Sequence, residues 1–234
     1  YGPCALYWSS SIMDNVQAYD AQADSINVDE ITSDIQNRII LRRLQRNDVN
    51  EHHKTLDIKN EHSDEFIEYV PEGANDMGWL GYFVGKNEHL KMLIICSFTP
   101  TFRASVRDVI EPFLRGVSNN KSIQKIYLYQ TDLLRGDMFT MLGPFFQNSY
   151  NLTNINVNRC DFGDEGARLF ALALGKCTHK SLKTVMLMDN DIIDDGIVDI
   201  ITALSMHHNL ELLDLSGNRL RKNACVALAT LLRS

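Results

Sequence analysis

The sequence predicts an α/β solenoid, with a parallel sheet on its concave side and helices on its convex side. Three observations carry this. A row of apolar residues recurs five times, each row is followed by an amphipathic helical stretch, and the rows sit at nearly constant spacing. Their first residues are 90, 123, 152, 182 and 210, which gives steps of 33, 29, 30 and 28. Self-similarity at such a period is the mark of stacked units that cannot bury their apolar faces alone.

Taken in order, the loosest row is Leu90, Leu93, Ile95, Phe98, Pro100, followed by Ile123, Ile126, Leu128, Thr131, Leu133. The next two are Leu152, Ile155, Val157, Cys160, Phe162 and Leu182, Val185, Leu187, Asn190, Ile192. The last, Leu210, Leu213, Leu215, Asn218, Leu220, is the fullest. A sixth, degenerate row centres on Leu56 and Ile58. Alternating apolar positions make a short strand with one buried face, and the Asn or Cys then turns the chain. Asp164-Glu165-Gly166 opens a helix over Ala167–Leu174, and Asp194-Asp195-Gly196 opens one over Ile197–Leu204. Carboxylates suit a helix N-terminus, where unpaired N–H groups and the dipole favour negative charge.

These rows, with the segments CDFGDEGARLFALALGKC and NDIIDDGIVDIITALS, resemble leucine-rich repeats of the ribonuclease-inhibitor-like type. The resemblance covers Leu90–Ser234 well and Leu56–His89 weakly. It implies a horseshoe of long units, about 28–29 residues each, with a full helix per unit. It does not by itself specify a function, because one fold hosts many binding roles.

The remainder divides into a disordered tail at 1–28, with 1–12 an upstream or appended stretch, and an N-terminal capping-helix region at 29–52. A repeat domain of about six units fills 53–234, its first unit (53–89) degenerate and carrying an insertion. Ile31, Ile35, Ile39 and the Leu41/Leu44 pair predict one amphipathic helix over Glu30–Arg46 that covers the first edge of the array. The acidic stretch holding Glu61, Asp64, Glu65, Glu68 and Glu72 reads as a loop, after which Asp76 opens a helix through Trp79, Leu80, Phe83 and Val84.

Composition narrows the function classes. Apolar residues make up 44% and charged residues 23% of 234, ordinary for a folded chain. No apolar run reaches the ~18 residues that cross a bilayer. Lys+Arg 23 against Asp+Glu 30 leaves a net charge of −7, the wrong sign for a nucleic-acid binder. Five cysteines without a CxxC make no disulfide framework. With no signal segment in view, the expected location is cytoplasmic.

Motifs for chemistry are weak. Asp161-Phe162-Gly163 has no catalytic loop or glycine-rich loop to work with, so it reads as a repeat turn. Gly81 through Lys86 has three residues between its glycines instead of four and Asn87 where a phosphate loop needs Ser or Thr; it reads as a helix with small packing positions. Asp189 to Asp195 places Ile193 where a calcium loop needs an oxygen. His207 and His208 are expected to face solvent, Cys160 and Cys225 to be small buried hydrophobes, and the Asn120 and Asn151 glycosylation triplets to be chance matches in exposed loops. No enzyme, metal or cofactor is expected.

The outward strand positions carry the functional expectation. Met92, Ile94, Lys125, Tyr127, Tyr129, Asn154, Asn156, Asn158, Met186, Met188 and Asp214 fall between the buried positions and face the concave side. Tyr and Met are enriched at interface centres, and apolar groups gathered on a surface mark a contact site. The expectation is a non-catalytic module that binds another protein through this face. The alternative, suggested by the resemblance, is a GTPase activator using Arg159 or Arg219 in the strand-to-helix turns. A third is recognition within a larger ligase or immune-type receptor.

Overall fold

A computed structural model describes residues 17–47, 54–59, 68–96, 106–131, 138–177, 179 and 181–233. Six strands form one parallel sheet in chain order: β1 Thr55–Ile58, β2 Met92–Cys96, β3 Lys125–Tyr129, β4 Asn154–Asn156, β5 Thr184–Met186 and β6 Leu212–Asp214. Helices alternate with them: α1 Val28–Ile31, α2 Ile35–Gln45, α3 Ala74–Lys86, α4 Val106–Val117, α5 Met138–Asn148, α6 Gly163–Leu174, α7 Asp194–Leu204 and α8 Lys222–Leu231. None of these helices is long and apolar enough to cross a membrane.

The strand register reproduces the alignment of the rows. Leu56, Leu93, Ile126, Ile155, Val185 and Leu213 are neighbours across the sheet. All but Leu213 are buried against the helices, together with Ile95, Leu128, Val157 and Leu187. This continuous apolar layer runs the length of the array. Phe98, Pro100 and Leu133 lie outside the described residues.

Polar ladders tie unit to unit. The amide of Asn190 donates to the carbonyls of Val157 (2.7 Å) and Leu187 (3.0 Å), while its oxygen accepts from Cys160 N–H (2.7 Å). Asn218 repeats this one unit on, donating to Leu187 (2.8 Å) and Leu215 (3.0 Å). Cys160 in the same position donates its thiol to Leu128 (2.9 Å). Buried backbone groups need such partners, which is why the turn position takes Asn or Cys. Asn120 does similar work in a loop. It is buried, donates to Val84 and Asn87, and accepts from Ser122 and Ile123, so it is neither exposed nor open to a glycan. Asn151 is exposed.

Four expectations are corrected. The single helix over 30–46 is two, because Asp34 leaves the helical region and caps α2 by accepting from Asn37 N–H at 2.8 Å. Residues 17–28 are not a disordered tail: Tyr19 stacks on Tyr82 and meets Trp79 edge-on, and Tyr82 donates to Asp20 at 2.7 Å. The end of the acidic stretch is not a loop. Tyr69 bridges to β1, donating to Asp57 and accepting from Lys59, and its side chain is buried. Val70 exchanges two hydrogen bonds with the buried Asn37, and Glu72 accepts from Ser33 and Asp34. The outer side of β1 is thereby covered over this stretch. Finally, His207 is buried and Cys225 is exposed, the reverse of what the sequence suggests. Glu61, Asp64, Glu65 and residues 1–16 lie outside the described residues.

The glycine-rich segment of α3 is a packing device, as its spacing suggests. A Cβ on Gly81 would lie 2.4 Å from the Phe113 carbonyl oxygen, and one on Gly116 would lie 2.2 Å from the Gly81 carbonyl carbon. The backbones of α3 and α4 therefore touch, which only residues without a side chain permit.

Candidate functional site

The face of the sheet turned away from the helices is built by the alternate residues of each strand. Two rows cross all six strands. One is Thr55, Met92, Lys125, Asn154, Thr184, Leu212; the other is Asp57, Ile94, Tyr127, Asn156, Met186, Asp214. Strand pleating places both rows on one side, because every intervening residue points into the core. Met92, Ile94, Lys125, Tyr127, Asn154, Asn156, Met186 and Asp214 are all half-buried, as are Tyr129 and Met188 just beyond the strands' centres.

Asn158 does not belong with them. It is buried, and its side-chain oxygen accepts from Met188 N–H at 2.7 Å, so its amide serves the inter-unit ladder. The reason is positional. Residue 158 lies past the end of β4, where the chain has begun its turn and strict alternation no longer holds. The asparagine stripe is thus a pair, and both members are engaged locally: Asn154 accepts from Thr153 (2.7 Å) and Asn156 from Asn158 N–H (3.0 Å).

The first-strand end of this face is polar. Lys59 pairs with the fully buried carboxylate of Glu68 and stands 3.5 Å from Asp57. The bond to Glu68 holds the Lys59 ammonium above its ordinary value. Burial pushes the Asp57 carboxyl up, and one of its oxygens is buried without a partner among the described residues. A hydrogen bond to Cys96, aided by burial, pushes the Tyr129 hydroxyl up to about 12. Glu68 lies outside every row, so only its burial reveals it. Sequence pattern holds no signal for it.

Among the described residues no three His, Cys, Asp or Glu side chains gather as a metal site. Arg159 lies 3.3 Å from Asp189, and Arg219 lies 2.5 Å from Asp191, each ion pair bridging adjacent units in the turns. Asp161 and Asp191 have positive φ, and Gly163 does too, so the Asp-Phe-Gly tripeptide is part of a repeat turn. Tyr127, by contrast, lies between Ile94 and Asn156 with Met186 one strand further: an apolar and aromatic centre flanked by amides and by Lys125.

A model of a family described as leucine rich repeat matches residues 148–171 and 207–229, segments that span β4 into α6 and β6 into α8. The fold is that of a leucine-rich-repeat solenoid, and two of its units match the family's repeat. The match is to the repeat in general and does not distinguish the ribonuclease-inhibitor-like type. No curated protein matches the chain. A solved structure titled as the tropomodulin C-terminal domain of Caenorhabditis elegans aligns with 68% of this chain and 92% of its own, at 17% identity and a TM-score of 0.48. Leucine-rich-repeat domains commonly mediate protein–protein contacts, because stacking yields an extended surface with regular side-chain rows.

Proposed function

We propose that this protein is a non-catalytic binding module that holds another protein against the open face of its sheet, with Tyr127 at the centre. The observation that carries the reading is the row Ile94, Tyr127, Asn156, Met186, which sets Ile94 beside Tyr127 and Met186 beyond Asn156 across four strands, all half-exposed. A solvated sheet face has no need of such groups, whereas interface centres are enriched in Tyr and Met. Lys125, Asn154 and Asp214 supply the polar surround, and Met92, Tyr129 and Met188 extend the apolar area. The test is affinity capture followed by identification of bound proteins, with binding of the captured partner then measured for wild type, Tyr127→Ala and a helix-side control, Asp199→Lys. Loss in Tyr127→Ala alone supports the face. Normal binding by that variant, or loss confined to Asp199→Lys, refutes it.

A further inference from the structure

A cavity opens between α3 and α4, and no strand residue lines it, so it is separate from the open sheet face. It measures about 290 Å³, close to the small end of the ~300–1,000 Å³ range of ligand pockets. Gly78, Gly85 and Gly116 leave bare helix backbone along part of its wall. Contact between the helices accounts for two of them, since a Cβ on Gly85 would lie 2.3 Å from the Gly116 carbonyl oxygen. It does not account for Gly78. There the obstacle to a Cβ is the Tyr19 hydroxyl oxygen, 2.1 Å away, and the next residue met is Pro112 at 3.5 Å. Glycine weakens a helix interior, and at position 78 it makes room for the tip of one tyrosine.

The lining decides what the cavity can hold. Tyr19 and Tyr82 stack with centroids 5.7 Å apart and, with Pro112, give flat apolar walls. The Tyr19 hydroxyl has no hydrogen-bond partner among the described residues, and burial pushes it up, so it remains a neutral donor. Three cations reach the cavity, Lys86, Arg115 and Lys121, and no carboxylate does. That runs against the balance of a chain with a net charge of −7. Two of the three are already matched, Lys86 by Asp20 at 2.9 Å and Arg115 by Glu111. Lys121 is exposed and has no ion pair among the described residues. One positive charge is therefore left over beside aromatic walls. A flat apolar body with a single negative charge complements both. A neutral ligand would cover the ammonium without pairing it, and a dianion would bring in a second charge with no partner.

We propose that this cavity binds a small aromatic carboxylic acid, with its ring against Tyr19, Tyr82 and Pro112 and its carboxylate on Lys121. The experiment is titration calorimetry on the full chain with benzoate, 2-naphthoate and indole-3-carboxylate, each compared with its neutral carboxamide. The variants are Lys121→Gln, Tyr19→Ala and, as a lysine outside the cavity, Lys91→Gln, with circular dichroism as the folding control. Wild type is expected to bind at least one of the acids about tenfold or more tighter than the matching amide, the size of a hydrogen bond to a charged group. Lys121→Gln, changed at an exposed position, should keep the wild-type spectrum and lose that margin, binding acid and amide alike. Tyr19→Ala should weaken both ligands, and Lys91→Gln should alter neither. Wild type that binds none of the three acids up to their solubility limits overturns the proposal. Equal affinity for acid and amide, a margin that survives in Lys121→Gln, or wild-type binding by Tyr19→Ala overturns it as well.

Discussion

Oδ1 of Asp194 lies 2.8 Å from the backbone nitrogen of Ala224, so a side chain in the first turn of α7 closes the N-terminus of α8. The same carboxylate accepts from Arg221 (3.0 Å) and Asn223 (3.1 Å). Desolvation pushes its proton affinity up, but these N–H groups outweigh that and hold the carboxyl below its ordinary value. α8 itself has no side-chain cap from its own N-cap residue Arg221. Asp194→Ala is therefore expected to loosen α8 selectively. Hydrogen exchange should speed up over residues 222–231 and stay unchanged over 139–148; uniform acceleration across both segments would refute the local role.

The register assigns opposite faces to the last residue of β5 and the residue after it. Leu187 is fully buried, while Met186 is half-buried on the open face. Leu187→Ala is expected to cost about 2–5 kcal/mol in denaturant unfolding, from lost burial and the cavity left behind. Met186→Ala is expected to cost less than about 1 kcal/mol, the usual size for surface changes or little more. Equal losses would contradict the register.

Two glycines make a contrasting pair. Gly116→Ala places a methyl inside the backbone of α3 and cannot be accommodated without separating the helices, so a loss of at least about 3 kcal/mol is expected, beyond ordinary overpacking. Gly175 ends α6 with φ −60, and the nearest atoms to an added Cβ are 3.5 Å away. Gly175→Ala is expected to be neutral or to stabilise by up to about 1 kcal/mol, through a less disordered unfolded chain. Thermal unfolding of the two variants side by side decides the matter.

His207 gives the protein a pH dependence. Its ring is buried, its Nδ1 has no partner among the described residues, and desolvation lowers its proton affinity below the ordinary value of 6.5, outweighing the bond to the His179 backbone. The unfolded chain then binds the proton more readily than the folded one. Stability from this group is present above pH 6.5 and declines as pH falls below it. His207→Gln should flatten the stability profile between about pH 7 and 5, where an ordinary His titrates. A variant with the wild-type slope would show that other groups dominate.

At the open face, Tyr127→Ala is expected to weaken a captured partner by at least about 2 kcal/mol, as hot-spot aromatics do. Lys125→Ala, at the rim, should cost less than about 1 kcal/mol and alter mainly the salt dependence. Titration calorimetry at two salt concentrations separates the two. A larger effect at Lys125 would move the centre of the interface away from the aromatic row.

The solenoid was legible because its signal is redundant: alternation within each strand, a nearly constant offset between strands, and Asn or Cys at the turns of the last three units all point to one register. Leu93, Ile126, Ile155 and Val185 needed no structure to be aligned. The outward rows followed from the same alternation, and they failed at Asn158 because alternation ends where the strand does. Features that depend on contacts distant in sequence were not legible. Tyr69 reaches β1 across an acidic stretch that looks like any polar loop. The break at Asp34, by contrast, had a local signal, since Asp is a poor interior residue and a favoured N-cap. His207 sits beside an exposed twin, His208, and no local pattern distinguishes them.

The backbone contact between Gly81 and Gly116 gives the array a mechanical polarity. Where two helices meet without intervening side chains, there is almost nothing to compress, and the first units move as one body. α8 meets α7 through side chains instead, with Ala224 buried and the Asp194 carboxylate accepting from its N–H. Side chains have room to give, so strain on the array should be taken up between α7 and α8 before it separates α3 from α4. Tyr127 stands on β3, the strand that α4 leads into, so a partner seated there would find its surface already in place.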